Sequence, residues 1–154
     1  MVEEISKAKK QLSNDFFIIG HGQGSFGHVP AQTYQTIDGF INHQSRFGMA
    51  VVLDSVARLN QIVVHEFLKH HLPAVSLRAA SSIITEQKKA EIFFSNILEA
   101  YLRQGLIPIT CGDVLIDHAQ GCTIWSTEEI LSFFAQWLLK KKMVYRINHS
   151  CYRS

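Results

Sequence analysis

Residues that cross-link, bend or strongly charge a chain are scarce in this 154-residue sequence. Three cysteines, Cys111, Cys122 and Cys151, form an odd set without Cys-x-x-Cys spacing. That argues against a disulfide framework or thiolate metal site and predicts reduced thiols. Charged residues make up only 18%, and 15 basic against 13 acidic side chains leave a net charge of +2, too little to suggest nucleic acid. The one basic run, Lys140-Lys141-Lys142, reads as a solvated helix end. No apolar stretch is expected to reach the roughly 20 residues that span a bilayer. The acidic, amphipathic start Met1-Val2-Glu3-Glu4 is unlike a signal peptide, so a cytoplasmic location without membrane partners is expected.

What the chain does have is a 47% hydrophobic content, enough for the core of one domain. Ile5, Ala8 and Leu12 recur at helical spacing, and Phe16 to Ile19 reads as a short strand buried on both faces. Pro30 suits the first turn of a helix over 31–36. Val52, Val56, Leu59, Val63 and Phe67 mark one face of a long helix over 46–71. Residues 73–77 read as a strand and 79–85 as a polar loop. Phe93, Ile97 and Ala100 define a helix stopped by Gly105, and 106–110 reads as a third buried strand. Residues 114–117 and 122–125 flank a turn in a hairpin pattern. Ser126-Thr127-Glu128-Glu129 has the capping-box form before a helix carrying Ile130, Phe134, Trp137 and Leu138. Residues 143–147 could start a last strand, and 148–154 read as an irregular tail. Strands alternating with helices predict an α/β sandwich around a mostly parallel sheet.

The richest segment is His21-Gly22-Gln23-Gly24-Ser25-Phe26-Gly27-His28, a glycine run between strand and helix. Its Gly-x-Gly-x-x-Gly pattern matches a dinucleotide fingerprint, but that site also needs an acidic residue about 20 positions on. Ile41-Asn42-His43-Gln44 supplies none, and no Gly-Lys-Ser/Thr follows to make a Walker loop. Two readings stay open: a tight turn needing glycine only for its backbone, and a phosphate cradle. His28 weighs for the second, because an imidazole beside helix-start N–H groups can donate to a phosphate oxygen.

The run with Val29-Pro30-Ala31 resembles the glycine loop of the isopentenyl phosphate kinases, within the amino acid kinase superfamily. A second block, Gly105-Leu106-Ile107-Pro108-Ile109 leading to Gly112-Asp113-Val114, then Asp117, Gly121 and Ile124-Trp125-Ser126-Thr127-Glu128, is similar to the same family in order and spacing. The resemblance implies a three-layer αβα sandwich over residues 1–147, the acceptor-binding part of the amino acid kinase fold. It also implies phosphoryl transfer from ATP with Mg2+ to isopentenyl phosphate, a small phosphorylated isoprenoid.

In that family pattern His28 is the catalytic residue and binds the acceptor phosphate. Gly22, Gly27, Ser126 and Thr127 complete the acceptor site, and Gln23, Gly24 and Ser25 lie near the ATP phosphates. Phe47, Met49 and Val52 stand where the family builds an isoprenoid pocket. Gln23 and Thr127 depart from family glycines, and a side chain at 23 would either crowd the γ-phosphate or turn outward. The family's lysine strand and nucleotide-binding half have no counterpart in the sequence, so a chain inactive alone is expected. The alternatives are a non-catalytic phosphate-binding or dimerising remnant and a superfamily kinase for another acceptor. Exposed strand edges make a homodimer an expectation.

No resident metal is expected. His65 and His70 lie five apart, about 140° around a helix, unlike a zinc pair four apart. Asp113 and Asp117 read as a turn and a hairpin residue.

Overall fold

The computed structural model describes residues 2–12 and 15–141, so the strand expected at 143–147, the tail and Cys151 lie outside the described residues. In chain order the elements are α1 (Val2–Gln11), β1 (Ile19–His21), α2 (Gly24–Thr33), α3 (Ser45–Lys69), β2 (Ala74–Ser76), β3 (Ile83–Glu86), β4 (Lys89–Phe93), α4 (Ser95–Arg103), β5 (Ile107–Cys111), β6 (Asp113–Asp117), β7 (Gly121–Trp125) and α5 (Thr127–Lys140). Two 3-10 turns, Thr36–Asp38 and Ala79–Ser81, complete the set.

A three-stranded parallel sheet runs in the order β1-β5-β2, and a four-stranded sheet in the order β4-β3-β6-β7. The pairs β3–β4 and β6–β7 are antiparallel and β3–β6 is parallel, so parallel pairings predominate. Alternation along the strands divides the core into layers. Ile107, Ile109, Cys111 and Val114 face α3, whose Met49, Val52, Val56, Val64 and Phe67 cover them. Leu115 and Trp125 face the other way, onto Leu98 and Leu102 of α4 and Ile130, Phe134 and Leu138 of α5. The result is the expected α/β sandwich, with helices on both sides of the strands.

Several local expectations need correction. The first strand is Ile19–His21 rather than 16–19, which places His21 on the strand itself. Residues 79–85 are no loop: β3 and β4 form a hairpin whose turn residues Gln87 and Lys88 both hold positive φ, 49° and 65°. Side chains without glycine's freedom concealed that turn. Phe93 ends β4 rather than opening a helix, and α4 buries Leu98 and Leu102 while Ile97 and Ala100 face solvent. Gly105, at φ +72°, does end that helix as expected.

Contrary to expectation, α3 is long and apolar enough by length and composition to cross a membrane. Its buried stripe packs on β5 and β6, but only 33% of the apolar window is buried, and Phe47, Ile62 and Leu68 are exposed.

Helix α2 starts at Gly24, so Pro30 lies inside it and not in its first turn. Proline has no N–H to offer the carbonyl four residues back. That carbonyl, Phe26 O, accepts instead from Ser55 Oγ of α3 at 2.7 Å. The helix tolerates its proline because a neighbour replaces the missing donor.

Candidate functional site

Strand β1 delivers the chain to Gly22, and α2 begins two residues later. Gly24 sits at φ +50°, a left-handed turn that favours glycine, and a Cβ on Gly22 or Gly24 would meet only open space. Gln23 occupies the N-cap position without capping by its side chain, and no acidic residue lies in the first turn of α2. The first N–H groups of a helix have no partner within it, and here no described side chain supplies one. The positive end of the α2 dipole is therefore open to an anion. Ser25 and His28 are both exposed on α2, with His28 in its second turn rather than at its start. The His28 ring makes no hydrogen bond to a described residue.

The Gln23 side chain does not turn outward. It folds inward between Gly27 and Gly112, where a Cβ on either glycine would strike its amide. Thr127 meets the same point from α5. Its Oγ1 donates to His21 O at 2.8 Å and accepts from Gly112 N–H at 2.7 Å. Gln23 and Thr127 thus converge on Gly112, at the junction of β5 and β6, with Gly27 against the other side of the Gln23 amide. The Ser126 hydroxyl serves its own helix, accepting from Glu129 N–H at 3.2 Å, while Glu129 Oε2 accepts from Ser126 N–H at 2.7 Å. The capping box expected from the sequence is formed in full.

Two residues beneath the turn escaped the sequence reading. Asn60 is 1% exposed on the buried stripe of α3. Its Nδ2 stands 3.1 Å from His21 Nε2, and its Oδ1 accepts from Ser76 Oγ at 2.6 Å. The signal was present: Asn60 lies four residues from both Val56 and Val64, so the true apolar face carries a polar residue. Leu59 and Val63, expected on that face, are only half-buried. Burial, with a contribution from the Arg78 guanidinium, lowers the His21 pKa against the hydrogen bond to Gly22 O, which raises it.

Arg78 is the second. Its Nε donates to Asp113 Oδ2 at 2.8 Å and a second N–H to Asp113 Oδ1, a bidentate pair in which the carboxylate is fully buried. Ala80 N–H and Val114 N–H complete the Asp113 shell.

Asp117 accepts from Thr85 Oγ1 and from the N–H groups of Lys88, Ala119 and Gln120, which pins the two hairpin turns together. Burial opposes its charge, but these donors outweigh it and lower its pKa. Both aspartates are committed to protein partners.

Of the residues expected around an isoprenoid tail, Met49 and Val52 belong to the core, whereas Phe47 is exposed and meets Tyr34 edge-on, centroids 5.9 Å apart. Cys111 and Cys122 are free thiols, which burial pushes up to about 12 and about 11, values that make them unreactive. His65 is exposed, His70 lies 3.5 Å from Glu66 and His71 follows the end of α3. Among the described residues Glu86, Glu91 and His118 bring their ligand atoms within 4.8 Å of one another, on the hairpins.

Comparison with known proteins follows the same lines. The chain is 30% identical over 141 residues to the isopentenyl phosphate kinase of Methanocaldococcus jannaschii, covering 89% of this chain and 53% of that protein. It is 26% identical to the isopentenyl phosphate kinase of Methanothermobacter thermautotrophicus, covering 93% of this chain and 56% of the relative. A solved structure of isopentenyl phosphate kinase superposes with a TM-score of 0.78 at 27% identity, over 90% of this chain and 58% of the other. The chain thus spans about half the length of the curated relatives it matches. Residues 1–146 match the model of the amino acid kinase family, and the chain belongs to that family.

Proposed function

We propose that this chain forms the acceptor side of an ATP-dependent kinase that converts isopentenyl phosphate to isopentenyl diphosphate. The observation that carries this reading is the uncapped start of α2, open at the end of a parallel strand. The isopentenyl phosphate kinases among its relatives favour this acceptor over others. Phosphoryl transfer demands positioning and neutralisation of charge more than covalent help from the protein. Gly22 and Gly27 let the backbone approach the acceptor phosphate, and His28 donates to its oxygens and to the charge that develops during transfer. Gln23, Gly24 and Ser25 lie toward the ATP phosphates. Ser126 and Thr127 border the acceptor through their main chain at the start of α5, and Phe47 meets the isoprenoid tail.

The donor set at the turn, N–H groups, hydroxyls and imidazoles, suits phosphate oxygens. It does not suit Mg2+, which prefers carboxylate and water oxygen. Asp113 and Asp117 are already enclosed by protein donors. The residues of the turn therefore fit the phosphates of ATP and not the metal.

Residues 1–154 are expected to bind the acceptor without turning it over. Calorimetric titration with isopentenyl phosphate tests the first part. His28→Ala should weaken binding roughly 10- to 100-fold, as for loss of a charged hydrogen bond. A coupled assay with ATP tests the second, and turnover by residues 1–154 alone would refute it. Absence of binding to the unaltered chain would refute the whole reading.

A further inference from the structure

An amide buried on an apolar helix face is costly unless every polar atom is bonded. Asn60 meets that demand at the carboxyl ends of the three parallel strands. Its Nδ2 reaches Ile109 O of β5 at 3.4 Å and His21 Nε2 of β1 at 3.1 Å, with Cys111 Sγ at 3.9 Å, and its Oδ1 takes the Ser76 hydroxyl at the end of β2. The Ile109 carbonyl can only accept, so the NH2 group of Asn60 and not its oxygen must face β5. The same NH2 group then faces His21 Nε2, which must be the accepting nitrogen. The imidazole proton is left on Nδ1, which donates to Gly22 O at 2.8 Å. One backbone carbonyl thus decides the tautomer of a histidine two bonds away.

The effect continues into the turn. All described peptide bonds are trans, so the C=O of Gly22 and the N–H of Gln23 point in opposite directions. Holding Gly22 O against the His21 ring aims Gln23 N–H away from it, and that N–H has no acceptor among the described residues.

We propose that Asn60 is a positioning residue for ligand binding: by fixing the Nδ1–H tautomer of His21 it locks the Gly22 carbonyl inward and presents the Gln23 N–H to a phosphate oxygen. This rests on the phosphate reading of the turn and deepens it by naming what holds the turn in shape. The lowered His21 pKa accords with a neutral imidazole accepting at Nε2.

The test is nitrogen NMR of the full chain with inorganic phosphate as probe. The unaltered chain should show His21 Nε2 unprotonated, and the Gln23 amide should shift on phosphate addition. Asn60→Asp replaces the donor by an acceptor, so the proton should move to Nε2 and phosphate affinity should fall roughly tenfold, as for one lost hydrogen bond. Asn60→Leu, which removes the donor without adding charge, should lose the single tautomer and a similar share of affinity, and serves if the aspartate variant does not fold. Ser76→Ala breaks the network on its other side. It should lower stability while leaving the tautomer in place and phosphate affinity within twofold. A proton on Nε2 in the unaltered chain overturns the proposal, as do Asn60 variants with unchanged tautomer and affinity. A correct tautomer in a chain whose Gln23 amide ignores phosphate overturns the phosphate reading, and with it the ligand role of Asn60.

Discussion

Two helices start side by side in this molecule and treat their free N–H groups in opposite ways. Helix α5 closes its own end: the Ser126 hydroxyl and the Glu129 carboxylate exchange hydrogen bonds, and Glu128 and Glu129 put negative charge in the first turn. Helix α2 has neither a side-chain cap nor an acid, and glycines keep its approach bare. The dipole argument is the same for both. A helix that supplies its own anion is spoken for, and one that does not is left for a ligand. The comparison separates a helix start closed by its own side chains from one left open, without reference to any relative.

Thr127 joins the two starts, so its removal should break the comparison most. Thr127→Val leaves Gly112 N–H and His21 O without their partner and should cost about 1–3 kcal/mol of folding free energy, read by denaturant unfolding. Stability unchanged within error would mean the two starts are held together by other contacts. Ser126→Ala opens the closed end of α5 and should cost about 1 kcal/mol by the same measurement. A fall in isopentenyl phosphate affinity beyond that of a destabilised control would show the hydroxyl turning from cap to ligand. Gln23→Asp makes α2 resemble α5. It should add about 0.3–1 kcal/mol to thermal stability at low salt while weakening phosphate binding severalfold. Tighter phosphate binding in that variant would remove the basis for calling α2 the open end.

The sequence made the closed end more legible than the open one. Ser126-x-x-Glu129 states a cap in residue types alone, and the flanking hairpin follows from alternation on either side of a glycine-bearing turn. The start of α2 was obscured because Pro30 suggested a first turn, and the donor that allows proline inside the helix, Ser55, is distant in sequence. Asn60 was hidden for a related reason. Counting apolar residues at helical spacing passes over a polar one on the same stripe, and only the facing strands show that its amide is satisfied. The β3–β4 turn offered no glycine or asparagine, so the hairpin depended on a tertiary setting that tolerates two left-handed residues.

Pro30 also bears on how the site comes into being. It moves one hydrogen bond from inside α2 to a partner 29 residues away, exchanging a local contact for a distant one. The turn of helix bearing His28 therefore cannot complete its bonding until α3 has docked. Closing such a loop costs chain entropy before any contact rewards it. The glycine run thus depends on α3 for one of its bonds, and a peptide holding α2 alone would lack that donor.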